Sequence, residues 1–203
     1  MTTKKKNIEA DILKMAERLF VKQGYAETST VQIAAKLGIN QALVYYYYGS
    51  KENLLKNVLE RRLKRAFSKL GKVILDEKML VEDALKELLH QHFRLCRVNA
   101  DFIRFMANCV ANQPKMGVFL REQLGVLIQG KVIELLQRGE REGVFRVVCP
   151  ELFITTIFSL NITPFLLNPI VRIVTAEQYP DYEMFLKERE AENIRIIMSI
   201  VKI

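Results

Sequence analysis

Residues 33 to 48 read IAAKLGINQALVYYYY, and the spacing within this stretch decides the fold. Ala34 is small where two helices must cross closely, and Gly38 supplies the positive φ that a three-residue turn needs. Ile39 plugs the corner. Val44 and Tyr47, three residues apart, face back onto the preceding helix. A generic helical hairpin requires only some of these residues, whereas a helix-turn-helix requires all of them at these offsets. Just upstream, Ser29-x-x-Gln32 is a capping box, in which hydroxyl and amide satisfy the free N–H groups that open a helix. Gly38 ends that helix, Asn40 caps the next, and Gly49 closes it.

Outward from this turn the periodicity stays helical. Ile8, Ile12, Ala16, Leu19 and Phe20 recur at three- and four-residue steps and predict a helix over residues 7–23. Ser50 opens a fourth helix that runs past residue 65. The charge is concentrated in the same region. Residues 1–70 hold 14 Lys and Arg against 6 Asp and Glu, and the remainder holds 17 of each, so the net charge of +8 lies entirely in the first third. A basic stretch of residues 1–70 joined to a neutral body of residues 71–203 fits a nucleic-acid reader, expected over residues 1–50, with a separate sensing and assembly domain over residues 51–203. A solvated basic face alone gives the same charge pattern, so the turn and the charge have to be read together.

The body is predicted to be helical throughout, making the whole chain all-α. Val81, Ala84, Leu85, Leu88, His92, Leu95 and Cys96 share one face. A short helix follows around Phe102 to Asn112, then a longer one from about Lys115 to Arg141. Residues 152–171 are free of charge, but Thr155, Thr156, Ser159, Asn161, Thr163, Pro164, Asn168 and Pro169 make them too polar and too broken for a membrane span, and a buried helix is expected. The final helix, from about Asp181 to Lys202, carries Ile194, Ile197, Met198 and Val201 on one face and Ile196, Ile200 and Ile203 on another. One face covers its own domain and the other meets a second subunit, so residues 152–203 are expected to form a homodimer interface, with Ile197 in it.

Composition excludes other classes. The chain is 50% hydrophobic and 27% charged, with five Pro and nine Gly among 203 residues, which excludes disorder and low complexity. Cys96, Cys109 and Cys149 form no short-spaced pair, so a disulfide framework and a structural zinc site are both unexpected. The N-terminus lacks an export signal and a cytoplasmic protein is expected. Glu87-x-x-His90 has the spacing of half a di-metal carboxylate site without its second half. No phosphate loop, nucleophile elbow or Cys/His pair is present. No enzyme, metal or cofactor is expected.

The run from Phe20 to Leu54, FVKQGYAETSTVQIAAKLGINQALVYYYYGSKENL, resembles the N-terminal domain of the tetracycline-repressor (TetR) family of transcriptional regulators. The markers are Thr28-Ser29 before Ile33-Ala34, the aromatic end of the reading helix at Tyr45-Tyr46-Tyr47-Tyr48-Gly49, and Ser50-Lys51-Glu52 after it. Val31 stands where members often carry Arg, and Tyr48 where Phe is common. The resemblance implies a homodimeric, ligand-responsive repressor: each subunit would place its third helix in the major groove of half of a palindromic operator, and a small-molecule effector in the C-terminal domain would release it. A helical membrane-associated protein with a basic head meeting anionic lipid is the alternative that composition leaves open.

If Val44 and Tyr47 face inward, Gln41, Ala42 and Tyr45 lie outward at the start of the reading helix, where base edges are contacted. Gln41 is the best base-reading candidate, since its amide can bond adenine N6 and N7 in two places. Asn40 sits at the same helix start, and Ala42 and Leu43 can pack against thymine methyls. Tyr46 and Tyr47 can reach phosphates while their rings pack, although Tyr47 reads equally well as core. Tyr48 is expected to be core. Lys51 at the first turn of the fourth helix is a candidate phosphate clamp; Ser29 and Thr30 are candidates at the start of the second, and Lys4, Lys5 and Lys6 form a basic arm.

The effector site is expected between the middle helices. Phe102, Phe105, Met106, Cys109, Met116, Phe119 and Leu120 are bulky, soft side chains bracketing Pro114, suited to a mainly apolar small molecule. His92, Asn112 and Asn161 are the candidate polar contacts. A fully packed core uses the same residues.

Overall fold

A computed structural model describes residues 2–67, 78–125 and 130–203; the side chains of residues 2–7, the Lys4 to Lys6 arm among them, and of residue 114 lie outside the described set. Eleven helices run through the described residues: α1 (Thr2–Gln23), α2 (Thr30–Leu37), α3 (Gln41–Tyr48), α4 (Lys51–Phe67), α5 (Val81–Val98), α6 (Ala100–Asn112), α7 (Pro114–Leu124), α8 (Gly130–Arg141), α9 (Pro150–Leu166), α10 (Asn168–Thr175) and α11 (Tyr182–Val201). The all-α expectation is met. The stretch expected to be helical from Lys115 to Arg141 is helical on both sides of residues 126–129, which lie outside the described set, as α7 and α8. Two boundaries differ from the sequence reading: α1 begins at Thr2, ahead of residue 7, and the helix expected over 152–171 breaks at Leu167. The chain forms two compact units, Met1–Arg65 with Phe105–Gln123, and Ala66–Arg104 with Leu124–Ile203.

In the first unit the apolar stripe of α1 is buried at Ile12, Ala16, Leu19 and Phe20, as its three- and four-residue spacing requires. The Phe20 ring stacks parallel to Phe105, centroids 6.4 Å apart. Both halves of the capping box form: the Ser29 hydroxyl accepts from Gln32 N at 3.1 Å, and Gln32 Oε1 accepts from Ser29 N at 2.8 Å. Gly38 ends α2 in the left-handed region at φ 64°, ψ 32°, which costs a β-carbon-bearing residue about 1 kcal/mol or more. Asn40 Oδ1 then accepts from Ala42 N at 2.9 Å and opens α3. Val44 and Tyr48 are buried, while Tyr47 is half-buried, so the inward stripe of α3 runs through i and i+4. Tyr48 Oη donates to the Glu9 carbonyl at 3.0 Å, pinning α3 to α1, and burial pushes its phenol up to about 12. On the other side of α1, Glu17 bridges Arg61 at 2.6 Å and Arg62 at 3.3 Å of α4.

In the second unit α5, α8, α9 and α11 share one core, with Leu85, Leu135, Phe153 and Ile197 nearly devoid of solvent. The placement of Ile197 corrects the sequence reading. It is 0% exposed within its own chain and has no surface left for a second subunit. Exposure falls instead on Ile203, with Ile196 and Ile200 half-buried. The Phe145 ring lies flat on α8 at Gly139, where a β-carbon would stand 2.0 Å from a ring carbon.

Pro164 sits inside α9 and cannot donate to the carbonyl of Leu160, one turn earlier, an omission that costs up to about 3 kcal/mol in a helix interior. Asn193 of α11 fills the gap, its Nδ2 donating to Leu160 O at 2.9 Å. The carbonyls at the end of α9 are capped as well: Tyr182 Oη donates to Pro164 O at 2.7 Å and Arg104 to Phe165 O at 2.9 Å. Among the described residues no single helix is long and apolar enough to cross a membrane; α9 and α10 pass only as a pair, and the pair is bent by 82°.

Candidate nucleic-acid interface

The geometry of α3 sorts the four tyrosines. Tyr45 and Tyr46 are exposed, Tyr46 to 73%, while Tyr48 is buried. An exposed tyrosine of this size near a helix end is a polar tip on an apolar body, suited to a phosphate oxygen. The Tyr46 and Tyr47 rings meet edge to face with centroids 5.2 Å apart, which holds Tyr46 in place. Ala42 is also exposed, and Gln41 and Leu43 are half-buried. Ala42, Tyr45 and Tyr46 therefore form an outward row on a helix fixed behind by Val44 and Tyr48.

Several candidates carry partners that their residue types alone did not disclose. Thr30 is buried, and its hydroxyl lies 2.8 Å from Gln41 Nε2 and 3.3 Å from Tyr45 Oη. Ser29 and Asn40 are exposed, and each caps its own helix. Lys51 stands at the start of α4 as expected, with Nζ donating to the Ala26 carbonyl at 3.3 Å and lying 4.2 Å above the Tyr25 ring. Partial burial pulls its ammonium below the usual lysine range. Lys51 thus holds the turn between α1 and α2 while carrying its charge beside it. Lys51→Ala is expected to lower the salt slope of DNA binding by about one unit and to weaken all sequences alike, whereas Gln41→Ala is expected to relax one base step at a cost of about 1 to 3 kcal/mol. Filter-binding titrations at several salt concentrations check both.

The candidate effector residues fall into both units. Phe105, Met106, Cys109, Asn112, Met116, Phe119 and Leu120 belong to the first, and His92, Phe102 and Asn161 to the second. In the first unit Phe105, Cys109, Met116 and Leu120 are buried, Met106 and Phe119 are half-buried, and Asn112 is exposed with its amide donating to the Asn108 carbonyl at 2.9 Å. In the second unit Phe102 is buried, and His92 and Asn161 come together inside. Asn161 Nδ2 lies 3.1 Å from His92 Nδ1, and Asn161 Oδ1 accepts from Asn193 Nδ2 at 2.9 Å. His92 also stacks on Phe158 at 5.5 Å. Asn193 escaped the sequence reading. The signal for it was Pro164, whose missing N–H demands a buried donor from another helix. Burial pushes the Cys96 and Cys109 thiols up to about 12 and 11, which leaves both as neutral packing groups.

Burial lowers His92 from 6.5 to about 4. Above about 6.5 the ring is neutral whether the chain is folded or not. As pH falls from there toward 4, only the unfolded chain takes up the proton, and about 3 kcal/mol of stability is lost. His92→Gln keeps an acceptor for Asn161 and removes the titration, so its stability is expected to fall less between pH 7 and 4.5 than that of the parent. Denaturant midpoints at the two pH values check this.

Glu87 and His90 are engaged elsewhere: Glu87 Oε1 accepts from Gln91 at 2.8 Å, and His90 Nδ1 lies 2.6 Å from Glu190. Among the described residues no group of three or more His, Cys, Asp or Glu side chains is placed to hold a metal ion.

Residues 12–58 match the model of a family described as bacterial regulatory proteins, tetR family. The chain is 29% identical over 142 residues to the HTH-type transcriptional repressor NicS of Pseudomonas putida, a match covering 67% of this chain and 65% of that protein. It is 40% identical over 53 residues to the HTH-type transcriptional regulator HbdR of an Aromatoleum species, covering 24% of this chain and 23% of that one. Over the first curated relatives the match spans only 32 to 65% of their own length. Among solved structures, a transcriptional regulator of Saccharomonospora viridis in complex with choline aligns with a TM-score of 0.72 at 18% identity, covering 98% of this chain and 99% of that one. At that identity the likeness is one of fold.

Proposed function

Because the chain belongs, through residues 12–58, to the tetR family of bacterial regulatory proteins, we propose that it is a homodimeric transcriptional repressor that binds a palindromic operator and is released by a small molecule. The observation that carries this reading is the outward row Ala42, Tyr45 and Tyr46 on α3, presented by a capped three-residue turn within the third of the chain that holds all the excess positive charge. A neutral scaffold would leave such a helix nothing to read, whereas a phosphate backbone attracts the charge and a major groove admits the helix. Residues 1–50 are assigned as the DNA-binding domain and residues 51–203 as the ligand-binding and dimerisation domain. Ser29, Asn40, Tyr46, Tyr47 and Lys51 are assigned to phosphates, and Gln41, Ala42, Leu43 and Tyr45 to base edges. Repression, as against activation, is favoured by the name of the Pseudomonas putida relative.

The effector is assigned as a mainly apolar small molecule, supported by the Phe, Met and Cys side chains of α6 and α7. A ligand that favours the released state shifts binding only by its differential affinity, and DNA weakens the ligand by the same factor. The protein is assigned to the cytoplasm, acting without a membrane anchor, metal, cofactor or catalysis. The 82° bend between α9 and α10, and the burial of Phe153, Ile157, Asn161 and Phe165 on α9, support a packed helix over the membrane alternative.

Selection from a pool of randomised duplexes tests the proposal. Two half-sites related by inverted repeat, with centres about 10 bp or a multiple of it apart, are expected. A pool that emerges unenriched overturns the assignment.

A further inference from the structure

Thr30 lies outside the outward row, yet its hydroxyl touches two members of the reading surface, Gln41 and Tyr45. Its hydroxyl is 95% buried with the rest of the side chain and so relies on protein partners. It has one proton and accepts through its lone pairs. Gln41 Nε2 donates to it at 2.8 Å, and it donates in turn to Tyr45 Oη at 3.3 Å. The result is a relay with a fixed direction, Gln41 N–H to Thr30 O–H to Tyr45 O–H. Its two ends present different groups. With one N–H of Nε2 engaged, Gln41 keeps its carbonyl as an acceptor and its second N–H as a donor, held side by side in one orientation. With its oxygen accepting from Thr30, Tyr45 offers its O–H, a donor.

We infer that Thr30 is a positioning residue for sequence specificity: by holding one N–H of Gln41 Nε2, it fixes the amide so that the carbonyl and the remaining N–H are presented together, a pattern that selects adenine, through N6 and N7, over the other bases. Gln41 released from Thr30 is a different reader, able to rotate its amide and to accept from or donate to any base. This rests on the reading of α3 as the helix that enters the major groove.

The experiment is selection from randomised duplexes by the full-length chain and four variants, Thr30→Val, Thr30→Ser, Tyr45→Phe and Gln41→Ala. The parent is expected to enrich adenine at one step of each half-site, the step that Gln41→Ala erases. Thr30→Val keeps the buried shape without the hydroxyl and is expected to lower the preference at that step about tenfold while sparing the others; Thr30→Ser retains it. Tyr45→Phe removes the relay's far acceptor at an exposed position where folding is not at stake, and is expected to weaken the same step. Thr30→Val added to Gln41→Ala is expected to change nothing further. A parent preference for a base other than adenine at the Gln41 step overturns the inference, as do profiles of Thr30→Val and Tyr45→Phe that match the parent. A parent that enriches no sequence overturns the DNA-binding proposal and this inference with it.

Discussion

Ile197→Glu is expected to unfold the second unit of the chain, with loss of its cooperative denaturation transition and of DNA binding. Ile197 is 0% exposed and belongs to the core shared by α5, α8, α9 and α11. A carboxylate there has no cation to meet among the core side chains. It must either ionise in an apolar surrounding or take up a proton and bury an unsatisfied hydroxyl and carbonyl. Either outcome costs several kcal/mol, roughly 5, which is a large part of the 5 to 15 kcal/mol that stabilises a domain. Ile203→Glu, at a position 77% exposed, serves as the control and is expected to leave the denaturation midpoint within about 0.5 kcal/mol of the parent. Circular dichroism during urea denaturation separates the two. An Ile197→Glu protein that keeps the parent midpoint and only changes its association state would return Ile197 to an interface and refute its place in the core.

Asn193→Leu is expected to have the second largest effect, about 2 to 5 kcal/mol. The substitution is close in volume, so cavity formation is minor. Its cost comes from two buried acceptors that lose their donor together: the Leu160 carbonyl, which Pro164 cannot serve, and Asn161 Oδ1. Each orphaned acceptor costs about 1 to 3 kcal/mol. The link to Pro164 gives a sharper test than the single variant does. Pro164→Ala restores the N–H that α9 lacks and lets the helix satisfy Leu160 by itself, so Asn193→Leu is expected to cost about 1 to 2 kcal/mol less in that background. A cycle in which the two changes simply add would mean that Asn193 does not compensate for the proline.

The two halves of the chain were unequally legible in the sequence. In α2 and α3 every decisive constraint is local. A capping box, a glycine at positive φ and an asparagine cap are each fixed by residues within four positions of one another, so Ser29, Gln32, Gly38 and Asn40 read correctly from spacing alone. Helix face was legible to within one position: Val44 and Tyr48 line the inside of α3, with Tyr47 at its edge. Contacts that depend on residues far apart in the sequence were not legible. The hydroxyl of Thr30 meets Gln41 and Tyr45, eleven and fifteen positions away, and Lys51 meets Ala26 and Tyr25. Asn193 meets Leu160 and Asn161 across some thirty residues. The last helix misled for a related reason. Isoleucines that circle a helix show burial on more than one side, but they do not show which side faces its own core. Only the packing of α5, α8 and α9 decides that Ile197 lies inside and Ile203 outside.

A helix α3 that reads DNA sequence from a basic head must separate duplexes of equal charge. Equilibrium affinities of the full-length chain for its enriched duplex and for a scrambled duplex of the same length and composition, both at 150 mM salt, measure that separation. The enriched duplex is expected to bind at least about 10³-fold more tightly, and Gln41→Ala with Tyr45→Ala to bring the two affinities close together. Equal affinities of the parent for both duplexes would contradict this reading of α3, since charge alone would then account for all of the binding.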